Sequence, residues 1–260
     1  MTLRLMEMKP SHKILIDMEG KKFNLTPYYQ VPVLPTRGIG YPEGAKVFYR
    51  LYTMREAMEV SSMTKLYDTI RFTLEGIKTE GMPKEDLFVP DFLFVSLLRA
   101  GSSGTVTHLK VSTTCQNCGE SFEDEVPIES VYVEDLEHVR KYVPIEGTDY
   151  KVILEVPRVG RLLEALEFGE KNPGLAEMAN GAVPIVGIAE GEKETFLSVR
   201  EVVDMMDELP QHVVLENQEY FSEGMTSAIV EVECPHCEYQ NKVRVGSEDS
   251  LSLVKPFRKS

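Results

Sequence analysis

Hydrophobic positions along this chain change period several times, and each change marks an expected element. Leu66, Ile70, Leu74 and Ile77 fall four, four and three residues apart, so they line one stripe of a helix running from about Thr64 to Thr79. Just before it, Thr53 followed by Glu56 has the spacing of a capping box and predicts a helix start. A denser apolar run, Leu87 to Arg99, predicts a further helix. Pro90 suits its first turn, and Ala100-Gly-Ser-Ser-Gly104 ends it. Within that run Asp91 and Arg99 are the polar exceptions, read as a carboxylate at a helix N-terminus and an arginine that snorkels to solvent. Gly160 to Phe168 reads as an amphipathic helix, and Leu175 to Ala189 as a helix kinked or broken at Pro184. Ser198 to Leu209 carries Val199, Val202, Val203 and Met206 on one side, and His212 to Phe221 adds a short helix.

Alternating or β-branched stretches predict strands at Ala45 to Tyr52, Thr107 to Thr114, Lys151 to Val156, Ser227 to Glu233 and Gln240 to Val245. His12 to Asp17 and Lys22 to Leu25 form an expected N-terminal hairpin. Val31 to Gly44, rich in proline and glycine, cannot be a regular helix or a central strand and is expected to run extended over a surface. It lacks the Gly-Lys-Ser/Thr ending of a phosphate loop. The fold class is therefore α+β, with helical subdomains joined by a zinc-ribbon-like β element and a small N-terminal β-hairpin. The expected divisions are 1–53 (hairpin and Pro/Gly segment), 54–104 (helical), 105–127 with 226–246 (ribbon), 128–225 (inserted helical unit) and 247–260 (tail).

The ribbon is inferred from the cysteines. The chain has four, Cys115-Gln-Asn-Cys118 and Cys234-Pro-His-Cys237. A two-residue gap lets a tight knuckle aim both thiolates at one ion, and two knuckles complete the tetrahedron of a closed structural zinc site. Each pair, preceded by an expected strand, reads as a hairpin tip. Gly119 suits the left-handed backbone at a knuckle exit, whereas Glu238 in the same place predicts a different turn. Cys-Pro-His-Cys also occurs in thiol oxidoreductases, but there an apolar helix follows, and here a polar strand does. Between the pairs lie 115 residues, 119 to 233. Closing such a loop costs on the order of 4 kcal/mol, against roughly 10 to 16 kcal/mol from structural zinc in small peptides.

Composition bears on partners. The chain has 260 residues, is 42% hydrophobic and 27% charged, and carries a formal charge of −14. That is globular material with room for a sizeable core, and its acidity disfavours binding to bulk nucleic acid. Lys242, Arg244, Lys255, Arg258 and Lys259 form a basic cluster near the C-terminus, read as a solvated tail that meets an acidic partner surface. With neither an apolar run of membrane length nor a signal-peptide pattern, a cytoplasmic protein with reduced thiols is expected. The five histidines, His12, His108, His138, His212 and His236, show no paired ligand spacing or nucleophile motif. Acidic runs such as Glu123-Asp-Glu125 and Glu190-Gly-Glu-Lys-Glu194 read as solvated surface. No catalytic constellation emerges, so an enzyme is not expected.

The order of pieces is informative. Leu34-Pro-Thr-Arg-Gly38 followed by Tyr41, a strand ending near Arg50, Asp91-Phe-Leu on a helix ending Leu98-Arg99, and Cys115-Gln-Asn-Cys118 together resemble the T-even-type phage baseplate hub family. The helical segment, Cys234-Pro-His-Cys237 knuckle and short strand that follow are also similar, so the resemblance runs from about residue 28 to 246. Glu238 and the N-terminal hairpin depart from it. It implies a structural or assembly role at or near the central hub of a contractile tail baseplate. The implied partners are other tail and baseplate proteins, with no small-molecule substrate, and the implied location is the host cytoplasm during assembly or the virion tail. The alternatives are a zinc-ribbon regulator of transcription or translation, which the charge disfavours, and a redox enzyme using Cys234 and Cys237.

Overall fold

The computed structural model describes residues 3–4, 27–104, 108–127, 130–133, 138–225 and 228–245. The expected hairpin at 12–25 and the tail from 247 lie outside them. In chain order the elements are β1 (Leu3–Arg4), β2 (Tyr28–Gln30), β3 (Lys46–Arg50), α1 (Met54–Ser62), α2 (Leu66–Glu75), β4 (Ile77–Glu80), α3 (Val89–Ser102), β5 (His108–Thr114), β6 (Ser121–Pro127), β7 (Tyr132–Val133), β8 (Arg140–Pro144), β9 (Tyr150–Glu155), α4 (Val159–Lys171), α5 (Ala176–Gly181), β10 (Ile185–Glu190), β11 (Lys193–Phe196), α6 (Val199–Met205), α7 (Gln211–Met225), β12 (Ala228–Glu233) and β13 (Gln240–Val245). The result is a mixed α and β chain with several small antiparallel sheets. Their strand orders are β2-β3-β4, β5-β6, β11-β10-β9-β8 and β1-β7-β12-β13.

Helix α3 is the centre of the molecule. Every residue from Val89 to Ala100 is buried, which makes it a core helix with no solvent face. It packs on β3 and α7. Its apolar side chains join a core that draws on Val47 and Tyr49 of β3, Ile70 and Leu74 of α2, Val152 and Leu154 of β9, Leu162 of α4 and Val202 of α6. Residues on either side of the first knuckle therefore share one core. On this core sits a smaller cluster, in which Leu97 of α3 meets Leu109, Val111 and Val126 of β5–β6 and Val230 and Val232 of β12.

Three expectations are corrected. Ile77 is not on the α2 stripe. Gly76 ends that helix, and Ile77 begins β4, paired with Tyr49 and buried in the same core. Its spacing imitated a helix because strand and helix here cover one hydrophobic surface. Likewise, 185–190 is a strand, not the second half of a kinked helix. Pro184, without an N–H, cannot continue α5, and the alternation Ile185, Gly187, Ala189 buried against Val186, Ile188 half-buried is that of a sheet. Gly187 is required because a Cβ there would lie 2.3 Å from the Thr195 carbonyl oxygen of the adjacent strand. Finally, the Pro/Gly segment does not run extended. Successive turns fold it back on itself (Arg37 N–H to the Leu34 carbonyl, Ile39 to Thr36, Tyr41 to Gly38, Ala45 to Pro42).

Asp91 holds that folded segment. Its carboxylate, fully buried at the start of α3, accepts from the Thr36 amide at 3.0 Å and from the Thr36 and Tyr41 hydroxyls at 2.6 Å each. The Tyr41 oxygen in turn accepts from the Phe88 amide at 2.8 Å. Burial raises the Asp91 carboxyl to about 6, opposed by the donors on Thr36 and Tyr41.

At the other end of α3, Arg99 is buried and does not snorkel to solvent. Its Nε donates to the Arg50 carbonyl at 2.8 Å and its Nη1 to the Thr73 carbonyl at 3.2 Å, the guanidinium lies 3.7 Å from the Tyr52 ring centroid, and Nη2 is 3.7 Å from Glu56. Glu56 also closes the α1 capping box with Thr53 and pairs with Arg50 at 2.7 Å through Nη1. Desolvation opposes its ionisation, but Arg50 and the Thr53 amide hold the carboxyl down at about 2. The polar exceptions on α3 thus tie it to the segments on either side of β3.

Two predictions follow from these ties. A Cβ on Gly76 would stand 2.1 Å from the Arg99 guanidinium carbon, so Gly76→Ala is expected to destabilise the protein by about 3 kcal/mol or more in chemical denaturation. Gly38→Ala, at φ 79° with open space around it, should cost only about 1 kcal/mol. The second prediction concerns pH. Because the folded Asp91 carboxyl lies above its unfolded value of 3.8, the native state binds the proton more tightly. Its contribution is complete below about pH 4 and is lost as pH rises through about 6. The stability of wild type minus that of Asp91→Asn should therefore fall by about 2 to 3 kcal/mol between those pH values. A flat difference would refute the assignment.

Candidate metal centre

The four cysteines come from two hairpins built alike. In the first, β5 and β6 pair up to Thr114 and Ser121, leaving a six-residue tip in which the Cys115 amide donates to the Glu120 carbonyl at 2.8 Å and the Gly119 amide to the Cys115 carbonyl at 2.9 Å. In the second, β12 and β13 pair up to Glu233 and Gln240. There the Cys234 amide donates to the Tyr239 carbonyl and the Glu238 amide to the Cys234 carbonyl, both at 2.9 Å. Gly119 has φ 78° and Glu238 φ 59°. The different turn expected at Glu238 is thus corrected: a non-glycine residue takes the same left-handed conformation, at a cost of roughly 1 to 2 kcal/mol. Matching amide-to-carbonyl bonds enforce one geometry at both tips.

The hairpins meet so that Cys115, Cys118, Cys234 and Cys237 face one point, with all four sulfurs within 4.8 Å of one another. Sγ of Cys115 is 3.6 Å from that of Cys237, and Sγ of Cys118 is 3.7 Å from that of Cys234. A tetrahedron with metal–sulfur bonds of about 2.3 Å has edges of about 3.8 Å, whereas a disulfide brings its sulfurs to about 2.05 Å. All four cysteines are free thiols. The separations and the all-sulfur donor set fit a closed four-coordinate ion. Cys115 and Cys234 are buried, Cys237 half-buried and Cys118 exposed. His236, within the second tip, is exposed.

The electrostatics of the cluster are compatible with a cation. Desolvation raises the Cys115 thiol, but the amides of Cys118 and Asn117 direct their N–H groups at its sulfur and bring it to about 6. Cys118 moves the opposite way, pushed up to about 12: the Glu120 amide lowers it, while desolvation and the neighbouring cysteine sulfurs raise it. Four thiolates at these separations repel one another, so one ionises at the expense of the next unless a positive charge sits among them.

One residue of the centre was not singled out in the sequence. Asn241 of β13, 1% exposed, accepts the Gln116 amide at 2.9 Å and donates to the Cys115 sulfur at 3.7 Å and to the Tyr239 carbonyl at 3.0 Å. A signal was present: Asn241 and Val243 occupy one face of an alternating strand, so a polar residue stands at an inward position. Asn117 makes a more exposed contact of the same kind, its side-chain amide 3.5 Å from the Cys237 sulfur. Among the described residues no helix is long and apolar enough to cross a membrane.

Comparison with known proteins bears on what this centre belongs to. Neither curated proteins nor solved structures give a significant match. A family model does: the family described as T4 bacteriophage base plate protein matches residues 36–249, a span that takes in the Asp91-anchored turns, α3 and both cysteine pairs. A match over most of the chain, joined to the order of motifs read from the sequence, places this protein in the T4 bacteriophage base plate protein family, as a component of the phage tail baseplate.

Proposed function

We propose that the protein is a non-catalytic structural or assembly component at or near the central hub of a contractile tail baseplate, holding one structural zinc ion through Cys115, Cys118, Cys234 and Cys237. The observation that carries the zinc reading is the set of sulfur separations, 3.6 and 3.7 Å across the two hairpins, close to the edge of a zinc–thiolate tetrahedron. In that role the ion supplies a fixed link between hairpins distant in sequence, and all four protein ligands are accounted for without an open position for substrate. What supports the hub position is the likeness of Leu34-Pro-Thr-Arg-Gly38, Tyr41, Asp91 and the first knuckle to the hub family. What supports a partner role is the family itself, together with an acidic chain of charge −14, which suits contacts with other tail proteins better than contacts with phosphate. Assembly would take place in the host cytoplasm.

Purified protein is expected to contain one zinc per chain by metal analysis. Cys234→Ser should lose that ion and about 3 kcal/mol or more of stability. A variant that no longer holds metal yet melts with the zinc-loaded wild type would show the ion to be dispensable. For the assembly role, the decisive test is a phage lacking this protein, complemented from a plasmid. Wild type should restore complete baseplates, with cross-links from this chain to central tail proteins, and the purified protein should bind neither single- nor double-stranded nucleic acid at physiological salt. Cross-links confined to the baseplate rim would remove the hub position. Tight, salt-sensitive nucleic-acid binding without a tail partner would favour a regulator.

A further inference from the structure

The geometry points to Asn241 as the positioning residue of the four-cysteine centre: its side chain fixes one hairpin against the other before metal arrives and orients the Cys115 sulfur toward the ion. This inference rests on the reading that the centre holds zinc, and it adds how the site is put together.

The starting point is a problem of assembly. The two cysteine pairs are separated by residues 119 to 233, and each hairpin closes its own ladder without the other. Bringing two such tips together places four sulfurs within 4.8 Å of one another, and neither ladder by itself fixes how the tips approach. One contact between the tips involves a side chain other than cysteine. Asn241 makes it with a neutral amide. Its Oδ1 accepts the backbone amide of Gln116, which lies inside the first knuckle, while Asn241 itself stands on β13 of the second hairpin, directly opposite Val232. That bond crosses 125 positions of sequence and involves no thiol.

The remaining capacity of the side chain is also committed. Nδ2 gives one hydrogen to the Tyr239 carbonyl, which is itself bonded to the Cys234 amide, and another to the Cys115 sulfur. The first fixes the amide plane against its own knuckle, and the second directs a donor at a ligand atom on the opposite one. A side chain 1% exposed with an acceptor and both donors engaged has one orientation available to it. Interactions of this kind, in which a neighbouring donor holds a metal ligand, typically change metal affinity by about 10- to 100-fold when removed. Leucine at 241 would preserve much of the volume but leave the Gln116 amide without its acceptor. Aspartate would keep an oxygen for Gln116 while offering no hydrogen to Cys115, so the two variants separate docking from ligand orientation.

The experiment uses the full chain in zinc-loaded and metal-free forms. Zinc affinity is read by competition with a chromophoric chelator, and hydrogen exchange of the Gln116 amide is followed by NMR. In metal-free wild type that amide is expected to be protected. In Asn241→Leu the protection should be lost and zinc affinity lowered about 10- to 100-fold. Asn241→Asp should retain the protection and still bind zinc more weakly, whereas Lys242→Ala, on the exposed face of the same strand, should stay close to wild type. Cobalt substituted for zinc should give a shifted sulfur-to-metal charge-transfer band in both Asn241 variants, a signature that a merely structural role would not move. The inference is overturned if Asn241→Leu binds zinc as tightly as wild type, or if Gln116 in the metal-free wild type exchanges as fast as in that variant. Should wild type take up no zinc while its four thiols are titratable, the metal reading fails, and the Gln116 comparison still decides whether Asn241 docks the hairpins.

Discussion

A helix with no solvent face has to be enclosed by the rest of its chain, and α3 sets that condition here. From Val89 to Ala100 every side chain is out of water, including a carboxylate and a guanidinium that must find partners in the interior. The surroundings follow from this requirement. Asp91 recruits the turns at 34–41, Arg99 recruits the carbonyls of Arg50 and Thr73, and Leu97 supplies the apolar seat for the two hairpins. Even Gly76 is explained by it, since the space where its side chain would be is filled by Arg99. The hydrophobic term holds the layers together, while the two buried charges specify which segments lie at each end of the helix.

Much of this was legible from local chemistry. The capping box at Thr53, the strand before each cysteine pair and the apolar stretch of α3 are all properties of short windows, where propensity and pattern agree with the fold. What was not legible depends on contacts between distant segments. Ile77 kept helical spacing because α2 and β4 bury against the same core, and β10 looked helical because its small residues answer to the close approach of β11. The destinations of Asp91 and Arg99 could not be read from α3 alone. The bland readings of a helix-end carboxylate and a snorkelling arginine described the residue types correctly but missed the partners, which lie 26 to 55 positions away.

The four-cysteine cluster divides in the same way. Cys115, Cys118, Cys234 and Cys237 were identifiable from spacing, because ligand geometry constrains sequence over two residues at a time. Glu238 misled because φ near 59° is uncommon for glutamate, and it is imposed by the same pair of backbone bonds that glycine satisfies in the first knuckle. Asn241 was concealed by its setting in a polar strand, where only the alternation of faces separates a buried amide from its solvated neighbours.

The strand order β1-β7-β12-β13 gathers segments from the beginning, middle and end of the chain, and this has a consequence for the nascent polypeptide. Cys115 and Cys118 leave the ribosome with half a coordination sphere, and Cys234 follows 116 residues later, a delay of roughly 6 to 23 s at common rates of synthesis. During that interval β7 has no β12 to pair with, the first hairpin lacks its counterpart and α3 has lost part of the cover over Leu97. The β12–β13 hairpin therefore completes both a sheet and a four-cysteine cluster whose other halves were made long before. A chain truncated between α7 and β12 would retain most of its core residues yet present an unfinished sheet and the Cys115 and Cys118 thiols without their counterparts.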